Sequence, residues 1–186
     1  MWPAGLILAR FLESAEWGPA RLRGKTVVEL GAGAGLGAMT AAALGAHAAA
    51  TEQANVMPYL MACVETNAAV APCSAVVLDW GAASTGVLKD MTPCMVPADV
   101  VLVADCTYNS AMYPILLEAM VSITGPGSTV ILAHDQASVP VRNNMAKQFV
   151  HGTAAEYFDA AEIDVPETLP SRWRSLTVQL YVLTRR

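Results

Sequence analysis

Thr26-Val27-Val28-Glu29-Leu30-Gly31-Ala32-Gly33-Ala34-Gly35 is the stretch on which the reading of the fold turns. Its first five residues form a short, mostly apolar run of the kind a buried strand uses. The glycines that follow allow a tight turn and let a ligand come close to the backbone. Ala, Met and Leu residues then continue to about Leu44 and predict a helix, whose first turn offers free N–H groups to a ligand. The unit is therefore strand, glycine turn, helix.

The same alternation runs outward in both directions. Upstream, Pro3 opens a predicted helix of about residues 3–14, with Leu8, Phe11 and Leu12 among its apolar positions. Downstream, a second strand is expected near Ala48–Thr51. Met57, Leu60, Met61 and Val64 then keep the spacing of one helical face. Ala75–Leu78 predicts a third strand, and residues 81–97 read as a long loop with room for a helical turn. Asp99–Ala104 is almost pure Val and Leu and predicts a central parallel strand. Asn109 or Ser110 can cap the next helix, with Leu116, Ala119, Met120 and Ile123 on one face. Gly125-Pro126-Gly127 should stop it. A fifth strand follows at Thr129–Ala133, and a helix opened by Pro140 carries Val141, Met145 and Phe149. Two last strands, Ala161–Val165 and Leu176–Leu183, have no clear helix between them and predict an antiparallel addition. The fold class is α/β: a doubly wound, Rossmann-like seven-stranded sheet, mostly parallel with an antiparallel last strand, and helices on both faces.

Composition bounds the rest. The 186 residues suit a single domain spanning 1–186, with the N-terminal helix packed on its core. Hydrophobic residues make up 54% and charged residues 15%, which excludes intrinsic disorder. The apolar stretches are interrupted before the roughly 20 residues that a membrane helix needs. Met1–Ala9 has no basic region ahead of it and reads poorly as a signal peptide. A net charge of −5 argues against broad contact with nucleic-acid phosphates. The four cysteines form no C-x-x-C pair and the three histidines lie far apart, so no metal site is expected. Buried inert thiols in a reducing cytoplasm fit them better.

In a doubly wound sheet, ligands bind at the carboxyl ends of strands where the strand order reverses. The first strand and Asp99–Ala104 are the expected neighbours there. About twenty residues beyond the glycine loop, Glu52 ends the second strand, where a carboxylate can accept both hydroxyls of a ribose. The ligand is therefore expected to contain adenosine. Gly33-Ala34-Gly35-Leu36-Gly37-Ala38 also fits a dinucleotide fingerprint, so NAD has to be weighed. Glu29 at the strand tip would repel a pyrophosphate but suit a ligand with an ammonium and a sulfonium. That favours S-adenosylmethionine over NAD.

Further motifs, in order along the whole chain, carry a resemblance. They are Trp2-Pro3-Ala4, Val27–Gly33, Thr51-Glu52, Leu78-Asp79-Trp80-Gly81 and Ala104-Asp105-Cys106-Thr107-Tyr108. With them the chain resembles a class I, seven-β-strand S-adenosylmethionine-dependent methyltransferase, and within that class methyltransferase family 16, the protein-lysine methyltransferases. The resemblance implies that Gly31, Ala32 and Gly33 line the methionine part of the cofactor, with Glu29 near its ammonium. It puts Glu52 on the ribose, Asp79 and Trp80 at the adenine edge, and Trp2 and Ala104 as closure of the pocket. Asp105 and Tyr108, of the D-x-x-Y signature, would stand where the methyl emerges and position the accepting amine. No N-P-P-Y motif follows the fourth strand, which disfavours adenine or glutamine-amide methylation.

The activity implied is methyl transfer to a lysine side-chain amine of a protein substrate by a cytoplasmic monomer. Two alternatives stand beside it. One is a same-fold methyltransferase acting on protein histidine or a small molecule; the other is a catalytically silent interaction protein. Glu52 departs from the Asp usual in the family, by one methylene. The chain opens directly on Met1-Trp2, where family members commonly carry further sequence. His134-Asp135-Gln136, after the fifth strand, has no role assigned by the sequence.

Overall fold

The computed structural model describes residues 2–81, 95–136, 144–165 and 177–186. Its elements are α1 (Pro3–Glu13), β1 (Thr26–Leu30), α2 (Leu36–Ala43), β2 (His47–Glu52), α3 (Met57–Asn67), β3 (Cys73–Val77) and β4 (Ala98–Ala104). These are followed by α4 (Tyr113–Ile123), β5 (Thr124–Asp135), α5 (Met145–Gln148), β6 (Phe158–Ile163) and β7 (Val178–Arg185). The seven strands form one sheet in the order β3-β2-β1-β4-β5-β7-β6. Neighbouring pairs from β3 to β5 are parallel, and β7 runs antiparallel to both β5 and β6. The expected α/β class and its antiparallel last strand are both present. β7 enters between β5 and β6, so β6 becomes the edge.

Strand order reverses between β1 and β4, which puts the switch point at their carboxyl ends. Their opposite ends are locked together by side chains. Asp99 Oδ2 accepts from Thr26 N and Thr26 Oγ1, each at 2.9 Å, and Asp99 N donates to Thr26 Oγ1 at 2.9 Å. Lys25 Nζ adds a 2.9 Å bond to Asp99 Oδ1. These contacts set the register Val27↔Val100 to Leu30↔Val103, which brings Gly31 level with Ala104 and leaves Asp105 one residue beyond.

One face of the sheet carries α1, α2 and α3; the other carries α4 and the α5 segment. Ala4, Ile7, Leu8, Phe11 and Leu12 of α1 are all buried, following the i, i+3, i+4 pattern of a single apolar stripe. Each such Leu or Phe contributes about 1.5–3 kcal/mol by leaving water. Ser14 ends the helix: its Oγ donates to Phe11 O at 2.8 Å and accepts from Trp17 N at 3.3 Å.

Three local expectations need correction. α4 stops at Ile123, ahead of Gly125-Pro126-Gly127 as expected, but the fifth strand starts before Thr129: β5 begins at Thr124 and takes in all three residues. The pairing slips there, from Ala98↔Thr124 to Val100↔Thr129. Ser128 holds the irregularity, donating to Ala98 O at 2.7 Å and accepting from Gly125 N at 3.0 Å. The sixth strand starts earlier than expected, at Phe158, because its pairing with β7 and the burial of Phe158 define it. Asn109 Oδ1 does cap, but it accepts from Ala111 N at 3.1 Å in a short 3-10 turn, Ser110–Met112, that leads into α4. Pro140 and Val141, and most of the loop 81–97, lie outside the described residues. α5 passes directly into a π turn, Phe149–Thr153.

Candidate active site

The carboxyl ends of β1, β2 and β4 open into two adjoining cavities that share the glycine loop. The larger, about 310 Å³, is lined by both carboxylates of the second and fourth strand tips, Glu52 and Asp105, and by Trp80, Cys106 and Tyr108 among others. The smaller, about 80 Å³, lies over Glu29, Ala32 and Ala34. Trp2, Gly31, Gly33 and Ala104 line both. Ten of the eleven residues named from the sequence therefore meet at one place. Asp79 lines neither cavity. It is exposed, and its Oδ1 accepts from Gly81 N at 3.1 Å; its neighbour Leu78 lines the larger cavity instead.

The glycine loop owes its path to left-handed backbone. Gly31 has φ +62° and Gly33 has φ +55°, a region that costs L-residues roughly 1–2 kcal/mol. At Gly31 a Cβ would come within 3.0 Å of both Cys106 Sγ and Trp80 Cζ2, so the Trp80 ring lies against bare backbone. At Gly33 a Cβ would meet nothing within 4 Å; it would project into open space beside the cavities. The loop is tied to β2 by Ala32 N donating to Thr51 O at 3.0 Å and by Thr51 Oγ1 donating to Glu29 O at 2.7 Å.

Glu29 is 2% exposed, and its Oε2 accepts from Ala38 N at 2.8 Å in the first turn of α2. Burial, opposed by the N–H groups of Ala38 and Gly37 and assisted by the nearby Glu52 charge, pushes its carboxyl up to about 7. Gly37 makes this approach possible, since a Cβ there would stand 2.5 Å from Glu29 Oε1. No cation pairs with Glu29 among the described residues. A buried carboxylate in this state would be stabilised by a positive ligand group placed in the smaller cavity. Glu52 Oε1 accepts from Gly33 N at 3.2 Å and Oε2 from Gln53 N at 2.8 Å, which leaves lone pairs on both oxygens for ligand hydroxyls. Two carboxylates with an open glycine backbone between them fit S-adenosylmethionine, which carries an ammonium and a ribose diol. A pyrophosphate would meet two negative groups.

Asp105 sits at φ +58° and is 8% exposed. Its backbone N donates to Ala133 O at 2.8 Å, and its Oδ1 accepts from Asp135 N at 3.3 Å, so the turn after β4 folds over the tip of β5. A non-glycine residue in this conformation is strained and marks a place where geometry matters. Tyr108 and Trp2 are exposed at 54% and 65%, so each presents an aromatic face at the mouth of the larger cavity. Cys106 donates to Leu30 O and Ala104 O, both at 3.4 Å; burial, with the charges of Glu29, Glu52 and Asp105, raises its thiol far above the ordinary range. It is an inert wall.

The sequence reading missed Gln53, Val56, Leu78 and Met112 as lining residues. Gln53 and Val56 directly follow the β2 tip, which is the signal that could have found them. Among the described residues no group of three His, Cys, Asp or Glu could hold a metal ion, and no helix is long and apolar enough to cross a membrane.

A family model described as lysine methyltransferase matches residues 1–155. Protein N-lysine methyltransferase METTL21A of Danio rerio is 35% identical over 135 residues, covering 71% of this chain and 57% of that protein. EEF1A lysine methyltransferase 3 of Xenopus tropicalis is 25% identical over 186 residues, covering 100% of this chain and 74% of that protein. The chain thus spans little more than half the length of the first relative, and a similar 58% of METTL21A of Mus musculus. Among solved structures, the T. thermophilus 16S rRNA N2 G1207 methyltransferase RsmC, in complex with AdoMet and guanosine, aligns with TM-score 0.66 at 18% identity, over 100% of this chain and 44% of that one. The O-methyltransferase from Bacillus cereus aligns with TM-score 0.62 at 12% identity, over 97% of this chain and 80% of that one. The likeness to these two is one of fold.

Proposed function

Since the chain belongs to the lysine methyltransferase family, we propose that it is an S-adenosylmethionine-dependent enzyme that methylates a lysine side-chain amine of a protein. The observation that carries this reading is the pair of acidic groups flanking one glycine loop: Glu29 beneath the smaller cavity and Glu52 at the edge of the larger. The names of two relatives support the choice of lysine: METTL21A is named a protein N-lysine methyltransferase, and the Xenopus relative an EEF1A lysine methyltransferase.

Gly31, Ala32, Gly33 and Glu29 hold the methionine part, Glu52 the ribose, and Trp80 with Leu78 the adenine side; Trp2 and Ala104 close the pocket. Asp79 acts through the turn it makes with Gly81. When bound, S-adenosylmethionine supplies a methyl group already activated by its sulfonium. The chain's residues have to bring a neutral amine in line with it. A lysine ammonium, with a pKa of about 10.4, must first lose its proton. Asp105 attracts and orients the ammonium, the proton leaves to solvent at the open cleft mouth, and Tyr108 walls the approach of the free amine. The setting is a cytoplasmic monomer acting on a protein, and the whole of residues 1–186 serves as one domain.

The test is incubation of the chain with methyl-tritiated S-adenosylmethionine and a protein extract. Label entering protein supports the reading. S-adenosylhomocysteine binding without any transfer would make the chain a silent member of the fold. Competition of NAD for the site would overturn the cofactor assignment.

A further inference from the structure

Behind Asp105 lies a buried polar cluster that the proposed chemistry does not use. His134, on β5, is 0% exposed. Its Nδ1 is 3.3 Å from Asp105 Oδ1 and 3.1 Å from Thr107 Oγ1. Thr107 is itself 0% exposed, and its carbonyl accepts from Tyr113 Oη at 3.4 Å, so α4 backs the turn. The cluster therefore joins the turn after β4, the tip of β5 and the start of α4.

Charge settles which ring nitrogen carries the proton. A lone pair on Nδ1 would face the Asp105 carboxylate at 3.3 Å, whereas Nδ1–H can donate to it. The hydroxyl of Thr107 can accept as readily as it can donate. On the other side of the ring, Nε2 has no hydrogen-bond partner among the described residues. A proton there would be a buried unmet donor. Among the described residues Nε2 is unpartnered in either tautomer, so the Asp105 carboxylate is what selects Nδ1–H.

From this geometry we infer that His134 is a positioning residue for the methyl acceptor: its Nδ1–H clamps Asp105 Oδ1 so that Oδ2 faces the cleft. Oδ1 is then held from two sides, by the Asp135 backbone N–H and by the imidazole. Oδ2 receives no hydrogen bond among the described residues, while Asp105 lines the larger cavity. That oxygen is the one available to an incoming ammonium. The clamp also explains how a non-glycine residue stays at φ +58°, since three contacts to β5 (to Ala133, His134 and Asp135) oppose its relaxation. His134 acts through Asp105 and has no place in the residues lining either cavity. The inference rests on the methyltransferase reading.

The test uses the full chain and two variants. In His134→Asn, the amide Nδ2 can take the place of the ring Nδ1–H. In His134→Leu, the volume is roughly kept and the donor is lost. With tritiated S-adenosylmethionine and a protein extract, His134→Leu should transfer on the order of 10-fold more slowly at saturating cofactor. Its KM for S-adenosylmethionine should stay within about two-fold, and His134→Asn should recover most of the rate. Independently of transfer, two-bond 15N–1H spectra of the parent should show the His134 ring protonated at Nδ1, assigned by its loss in His134→Asn. An Nε2–H tautomer overturns the inference. So does parental turnover in His134→Leu, or an equal loss in both variants, which would mark a merely structural residue. No transfer by the parent, in contrast, overturns the enzymatic reading first and this inference with it.

Discussion

Glu29 Oε2 accepts the backbone N–H of Ala38 at 2.8 Å, which anchors the acid at the tip of β1 to the first turn of α2. The sequence reading placed Glu29 near a ligand ammonium, and here its carboxylate is already held by the helix that the ligand would face. Its charge is therefore shared between helix and ligand. Its pKa, raised to about 7 chiefly by burial, lets pH report on both.

The ligand-free protein should lose stability as pH rises from about 4.5 to about 7. Below that window the carboxyl is protonated in both states. Within it the unfolded chain ionises while the folded one keeps its proton. Above it the penalty is constant. The rise from 4.5 to about 7 corresponds to about 3 kcal/mol. Urea unfolding at several pH values should show this decline in the parent and lack it in Glu29→Gln. Below pH 7, S-adenosylhomocysteine should bind with release of a proton, read from calorimetry in buffers of different ionisation enthalpy. A pH-independent affinity between 5 and 7 would separate Glu29 from the ammonium.

Gly37→Ala should weaken S-adenosylhomocysteine binding although residue 37 lines neither cavity. Its Cβ would come 2.5 Å from Glu29 Oε1 and 3.2 Å from Leu102 Cδ1, so the carboxylate has to swing away from Ala38. Helix propensity alone would favour alanine by roughly 1 kcal/mol. A fall in affinity despite that gain, measured by calorimetry, would tie ligand binding to the seat of Glu29.

Gly33→Val should abolish binding. It places a branched side chain beside both cavities and forces a β-branched residue to φ +55°. Backbone strain alone costs roughly 1–2 kcal/mol, so a matched control is needed. Gly127→Val supplies one: φ is +84°, nothing lies within 4 Å of its Cβ, and it is remote from the site. Both variants should show a lower thermal midpoint, and only Gly33→Val should lose S-adenosylhomocysteine.

Asp105→Asn should cut methyl transfer by on the order of 10²-fold, in keeping with what mispositioning costs, and change cofactor affinity much less. Tyr108→Phe should retain more activity than Tyr108→Ala if the ring, which is more than half exposed at the cleft mouth, acts as a wall. Parallel transfer rates and calorimetry on the three variants decide this.

Local pattern carried much of the fold. Thr26–Leu30 begins and ends where the sequence reading put it, and Met57, Leu60 and Val64 are the buried face of α3, whereas Met61, expected on the same face, is exposed. What failed were features decided by pairing between distant segments. Gly125-Pro126-Gly127 reads locally as a stop signal and α4 does end before it, but the strand expected from Thr129 already starts at Thr124, where Ser128 bridges to Ala98 across 30 residues. β6 starts at Phe158, where the antiparallel ladder with β7 begins, and not where the apolar run suggested.

For the site, spacing led to the strand tips and so to Glu29, Glu52 and Asp105 together. The hydrogen bond between Glu29 and Ala38, the left-handed turn at Asp105 and the arrival of His134 from another strand are products of packing. No motif length encodes them. Asp79 shows the converse: the L-x-W-G match is in the sequence, yet the acid turns toward Gly81 and leaves the cavity wall to Leu78 and Trp80.

The central claim is that this cleft delivers a methyl group to a lysine of a protein. The most direct measurement is to label a protein extract with tritiated S-adenosylmethionine and the parent chain, hydrolyse the labelled protein, and identify the radioactive amino acid. The account predicts methylated lysine, with the signal lost when Asp105→Asn replaces the parent. Label recovered as methylhistidine, or lysine label undiminished by Asp105→Asn, would contradict it.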